Sequence, residues 1–152
     1  MKRFSFVAAL FLELQKKLGE AKVFEIMKSI LVPLGSNEQW GHLQSLVRTA
    51  EKPMEWLMDF YDLMDQKGVP RFNTREYIQQ NDAICHFVIT RCVFHDFFIE
   101  AGTPSLSKLF CEVDREFFPK AVPELNFHRG GSWENTIAIG KDHCEFIFEV
   151  KE

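Results

Sequence analysis

The hydrophobic pattern of this chain is helical up to Pro70 and mixed beyond it, and that change does most to restrict its fold. Before Pro70 the apolar residues recur at helical spacing, as Leu57, Tyr61 and Met64 do at i, i+4 and i+7. After it, β-branched and aromatic residues gather in short runs between turn residues, which is the texture of strands. Helices first and strands afterwards predict an α+β fold: a helical N-terminal half packed on an antiparallel sheet formed mainly by the C-terminal half.

Stop and start residues divide the first half. A helix is expected from Lys2 to Leu18, stopped by Gly19, and a second from Ala21 to Leu31, ended by Pro33, which cannot donate to the helix ladder. A third should start after the N-cap residues Ser36-Asn37 and run toward Ala50, and a fourth should follow Pro53 and stop at Gly68. In the second half, Thr74 to Gln80 alternates loosely and Asn81-Asp82 is a turn signal. Ala83 to Cys92 reads as a strand and Phe94 to Ala101 as a helix. Thr103-Pro104 should open a helix that reaches Phe118 and ends before Pro119. Strands over Glu124–Arg129, Asn135–Ile139 and Cys144–Val150 complete the pattern, the last two as a hairpin across Gly140–His143.

Length and charge narrow the function classes. The chain has 152 residues, the size of one domain, so residues 1–152 are read as a single unit. A net charge of −4 argues against a nucleic-acid partner, which selects for a basic face. The apolar run after Lys2-Arg3 stops at Glu13 with no small-residue cleavage site, and is too short to span a bilayer. A buried first helix, no membrane partner and a cytoplasmic location are therefore expected. Four cysteines are then reduced by default: Cys85, Cys92, Cys111 and Cys144. Sixteen Phe stand against 2 Tyr and 3 Trp. That surplus suits a Phe-rich core first, with an aromatic ligand pocket or the face of a homodimer as the alternative.

Several side chains carry candidate chemistry. Cys92 lies at a strand-to-helix junction, where a helix N-terminus can lower a thiol pKa. His95, three residues on, could reach it, and a Cys/His pair is the minimum for nucleophilic catalysis. The same spacing could serve zinc, but Cys92-x-x-His95, Cys111 and Cys144 fit no standard zinc ribbon, so no metal ligand is assigned and the cofactor is left unknown. On a helix, Phe110, Val113 and Phe117 make an apolar stripe, with Cys111, Asp114 and Phe118 along its edge. Asp114 there needs a partner, either an Arg of the chain or a cationic amidine of a ligand. Alternation puts Leu125, Phe127 and Arg129 on one strand face, so Arg129 points inward, toward Asp114 or a substrate carboxylate. Cys144 shares the core-facing side of the last strand with Phe146 and Phe148.

Arg91-Cys92, Gly102, Cys111-Glu112-Val113-Asp114, Phe127-His128-Arg129, Thr136-Ile137-Ala138-Ile139-Gly140 and Cys144-Glu145-Phe146-Ile147-Phe148 form a series. In order and spacing it resembles the C-terminal half of L-2-amino-thiazoline-4-carboxylic acid hydrolase-like proteins. The likeness runs from Ala83 to Val150; Gly130-Gly131-Ser132-Trp133-Glu134 departs from the shorter, Thr-containing link of the family. The resemblance implies a small-molecule substrate and hydrolysis of a cyclic amidine. Asp114 would then pair with the amidine, Cys92 or Cys111 would attack, and His95 would move the proton. Arg129, with Arg91 and Cys144, would contact the substrate. A weaker likeness to 4-vinyl-reductase-type domains implies instead a non-catalytic small-ligand or metal sensor.

Overall fold

A computed structural model of the chain describes residues 2–43, 46 and 51–151. Helix α1 (Lys2–Leu18) turns at Gly19, φ +80°, into α2 (Glu20–Leu43), and α3 (Pro53–Lys67) follows. Strand β1 (Thr74–Gln80) forms a hairpin with β2 (Ile84–Arg91), after which α4 (Val93–Glu100) and α5 (Lys108–Ala121) lead to β3 (Leu125–His128) and β4 (Cys144–Val150). All pairings in the four-stranded sheet are antiparallel, in the order β1-β2-β4-β3. The fold is the α+β arrangement expected.

Two apolar clusters hold it together. On the inner face of the sheet, paired aromatics stack across the strands: Phe87 on Phe146 at 4.9 Å and Phe127 on Phe148 at 4.6 Å between ring centres. Helix α3 covers them with Leu57, Phe60, Tyr61 and Met64, so the 57/61/64 stripe is a core face. The α1–α2 hairpin packs elsewhere, against α4 and α5, where Phe11, Val23 and Met27 meet Phe98 and Leu109. Most of the Phe surplus is thus spent on the interior.

Three boundaries differ from expectation, each for a local reason. Pro33 lies inside α2 on its exposed side, and Ser36 is buried mid-helix and caps nothing. The continuous helix survives because α2 packs closely along α5, with Gly35 against Val113. The expected end of the third helix, Gln44 to Ala50, falls outside the described residues except for Leu46. Likewise α5 passes Pro119, which is exposed in its last turns, so the carbonyl it leaves unbonded meets water. The stretch Pro104–Ser107 before α5 is a short 3-10 turn, and Thr103 makes no side-chain cap bond.

Asn135–Ile139 is the larger departure: it forms no strand. Strand β4 has β2 along one edge, and on the other β3 covers residues 147–150, so 135–139 meets only the short uncovered edge at 144–146. That stretch curls into a 3-10 turn over Ile137–Ile139, closed by Gly140 at φ +92°. It keeps one ladder-like bond, Glu145 N–H to the Asn135 carbonyl at 3.0 Å.

The α2–α5 contact yields a test. A β-carbon on Gly35 would lie 2.7 Å from Val113 Cγ2. Gly35→Ala should therefore lower stability by about 1–3 kcal/mol through overpacking, against the ~1 kcal/mol that alanine gains in a helix. Adding Val113→Ala should recover part of the loss, a coupling that a double-mutant cycle in urea unfolding measures.

Candidate functional site

Four elements bring candidate side chains to one cavity. Cys92 is the N-cap of α4, set by the end of β2. Cys111 and Asp114 project from α5, one turn apart. Arg129 follows the last residue of β3, and Cys144 opens β4. All five line a cavity of about 110 Å³. This is well under the ~300–1,000 Å³ of drug-sized pockets, so the space suits a molecule of small-metabolite size.

Arg129 is the anchor. Its side chain is 1% exposed and lies over the Phe146 ring at 4.2 Å. Nη2 donates to Asp114 Oδ2 at 3.1 Å, and Nη1 donates to the Glu145 carbonyl at 3.1 Å. Of the two partners the sequence leaves open for Arg129, Asp114 is the one it holds. Asp114 keeps 22% exposure, on the cavity, and also accepts from the Gln39 side chain. Burial raises its pKa from 3.8 to about 6, and Arg129 only partly offsets this. The carboxyl can therefore exchange protons near neutrality.

The thiols move out of range. Burial pushes Cys92 up to about 11, although the Phe94 and His95 backbone N–H groups pull the other way. The helix N-terminus expected to activate it is outweighed. Cys111 is pushed up to about 12, and Cys144 is also raised, in both cases mainly by burial. Cys144 Sγ accepts the Ile137 N–H at 3.2 Å, which ties the 137–139 turn to β4.

Two expected residues do not line the cavity. Arg91 is exposed and donates to Asp96 at 2.8 Å, an ion pair on the surface of α4. His95 bonds Ser107 Oγ at 3.1 Å instead of pairing with Cys92. Ser107 gives its only proton to the Pro104 carbonyl at 2.6 Å, so His95 Nδ1 must donate to it. Ser107 lines the cavity, which places His95 one layer behind the wall.

Conversely, the cavity takes side chains that sequence reasoning did not single out as polar groups of a site. Arg75 enters from β1, where strand alternation puts it on the same face as Tyr77 and both lie against Phe87. Tyr61 and Met64, read from the sequence as part of a stripe that is either a core face or a ligand-lining wall, both line it, and Gln39 arrives from α2. For Arg75 the one available signal was its alternation with Tyr77 at the start of a strand. Among the described residues, no three His, Cys, Asp or Glu side chains are grouped so as to hold a metal ion. No described helix is long and apolar enough to cross a membrane.

A family model described as L-2-amino-thiazoline-4-carboxylic acid hydrolase matches residues 1–148. The likeness thus extends over the helical half as well as the 83–150 stretch. No curated protein and no solved structure matches the chain.

Asp114 leaves a signature in stability. Its folded-state pKa of about 6 lies above the 3.8 of a free carboxyl, so the folded chain holds this proton more tightly. The stability it contributes is complete below about pH 4 and is lost as pH rises through 6. Between pH 4 and 7, wild type should lose on the order of 2–3 kcal/mol relative to Asp114→Asn, read by denaturant unfolding. A difference that stays flat across this window would mean that the carboxyl is not shut in.

Proposed function

The chain belongs to the L-2-amino-thiazoline-4-carboxylic acid hydrolase family, and from that premise we propose that it hydrolyses a small cyclic amidine or thiazoline carboxylate in the cavity around Asp114. The observation that carries this reading is one carboxyl with a pKa near neutrality facing a metabolite-sized space, oriented by a buried guanidinium. A general acid–base works best when its pKa is close to the working pH.

The chemistry then runs through Asp114. The aminothiazoline ring carbon between two nitrogens and a sulfur is electrophilic. The Asp114 carboxylate takes a proton from water as the water oxygen bonds to that carbon. The C=N electrons move onto the ring nitrogen, which receives that proton. The new C–OH then gives up its own proton, through Asp114, to the same nitrogen as C=O forms and the ring C–N bond breaks. The nitrogen leaves as a primary amine, and the carbon becomes a carbamoyl group on sulfur. Arg129 holds the carboxylate in place and limits the rise of its pKa. Three protonated thiols make a poor nucleophile set, so the reading gives Cys92, Cys111 and Cys144 the wall of the cavity and gives the attack to water. The same reading takes the chain as one cytoplasmic domain acting on a small molecule, without nucleic acid, membrane or a named cofactor.

A second reading has one observation in its favour. With the thiols held protonated and His95 tied to Ser107, the cavity contains no activated nucleophile. A non-catalytic small-ligand receptor would look the same. Its ligand would raise the melting temperature and be recovered unchanged.

Incubation with 2-aminothiazoline-4-carboxylate, with ring loss followed by mass spectrometry, separates the two. Turnover is expected, with kcat/KM rising as pH increases through about 6 and then levelling. Asp114→Asn should reduce the rate at least about 100-fold. Single Cys92→Ser, Cys111→Ser and Cys144→Ser variants should stay within a few fold of wild type. Loss of activity in one of them would return the attack to that thiol, and no turnover by folded wild type would end the hydrolase reading.

A further inference from the structure

Four buried polar atoms on the cavity wall have no hydrogen-bond partner among the described residues: Gln39 Oε1, Tyr61 Oη, Arg75 Nε and Arg129 Nε. Buried polar groups are nearly always paired, so each such atom needs an explanation. Thr103 Oγ1, Ser105 Oγ and Thr136 Oγ1 are also unpaired but belong to residues away from the cavity; the four on residues that line it have one candidate partner in common, a bound ligand.

The rest of each side chain is already committed, which fixes what it presents. The two terminal nitrogens of Arg75 hold both oxygens of Asp65, at 3.0 and 3.1 Å, leaving Nε–H free. Those of Arg129 hold Asp114 and the Glu145 carbonyl, again leaving Nε–H. The Tyr61 ring is pinned between Phe87, at 5.1 Å, and the Arg75 guanidinium, at 4.5 Å. Burial holds its phenol protonated, so it donates. Gln39 gives its amide to Asp114, and its oxygen is left as an acceptor. The wall therefore offers three donors, two of them on cations, together with one acceptor beside a carboxyl.

We infer that the cavity recognises a small zwitterion by both ends, with Tyr61 and Arg75 as the specificity-determining pair for its carboxylate. Arg129 Nε–H serves as a third donor to the same anion. Gln39 Oε1 and Asp114 receive the N–H groups of the opposite, amidine-like end. The ligand's identity rests on the hydrolase reading; the demand for an anion at one end and N–H donors at the other does not. Arg75 and Tyr61 come from β1 and α3, so the carboxylate is read by elements other than those carrying the acid–base group.

Two flat analogues that resist hydrolysis test this by calorimetry on the full chain: 2-aminothiazole-4-carboxylate and 2-aminothiazole, which lacks the carboxylate. Wild type should bind the acid at least about tenfold more tightly, since a hydrogen bond to a charged group is worth that much. Tyr61→Phe should raise the melting temperature of the free protein, because it removes an unpaired buried hydroxyl. The same variant should weaken the acid about tenfold and leave 2-aminothiazole unchanged. That opposition of sign is not produced by a merely structural tyrosine. Arg75→Lys, which keeps the charge and loses the Nε–H, should likewise weaken only the acid. With 2-aminothiazoline-4-carboxylate as substrate, Tyr61→Phe should raise KM more than it lowers kcat. The inference is overturned if wild type does not bind the acid, or if Tyr61→Phe binds both analogues as wild type does. Acid binding with this dependence but no turnover would sustain it and remove the hydrolase reading. Turnover indifferent to Tyr61 would do the reverse.

Discussion

Arg129 and Asp114 hold each other across the gap between the end of β3 and the middle of α5, and the arrangement of the C-terminal half depends on that pair. A guanidinium with 1% exposure needs acceptors in place of water, and Arg129 finds one at each of its terminal nitrogens. Asp114 supplies the charge and the Glu145 carbonyl a second acceptor, so one side chain ties α5, β3 and β4 together. Removing either partner would leave the other buried and unpaired, which costs more than the pair contributes when intact.

That tie also fixes where the cavity can be. The aromatic layer between α3 and the sheet is closed by Phe87, Phe118, Phe146 and Phe148, whose rings lie within 6.3 Å of a neighbour. Two cationic side chains reach the interior at the edge of this layer, Arg75 from β1 and Arg129 at the end of β3. The site is the margin of the core, and its walls are as rigid as the core itself.

Short-range patterns were legible in the sequence, and relations between distant segments were less so. Helix α1, the end of α3 at Gly68, and strands β2 and β4 follow directly from periodicity and stop residues. Alternation along 125–129 was enough to turn Arg129 inward, and helical spacing to put Asp114 at a core edge. Misreadings came where tertiary contacts overrule local preference. Pro33 and Pro119 sit on exposed helix faces where the lost bond meets water. The 135–139 run has good strand residues but meets only a short uncovered edge at 144–146, where it makes one backbone bond and curls into a turn. Arg75 is signalled only by its alternation with Tyr77, and Tyr61 only as part of a stripe that could be a core face or a ligand-lining wall; the pairing of β1 and the placement of α3 decide that the two meet at the cavity.

Burial acts in one sense on the groups gathered here but with opposite consequences, and this selects among them. For each group it disfavours the charged form. A carboxyl starts near 4, so the shift carries Asp114 up to about 6 and into the range where both forms coexist near neutrality. A thiol starts near 9, and the same shift carries Cys92 to about 11 and Cys111 to about 12, away from that range. One environment therefore makes the acid a proton carrier and the sulfurs inert. A site meant to use a thiolate would need the reverse: an open, cationic setting at the helix N-terminus, not a closed aromatic one with its positive charge already spent on Asp114. The sulfurs remain useful as soft, uncharged surface against a ring that itself contains sulfur.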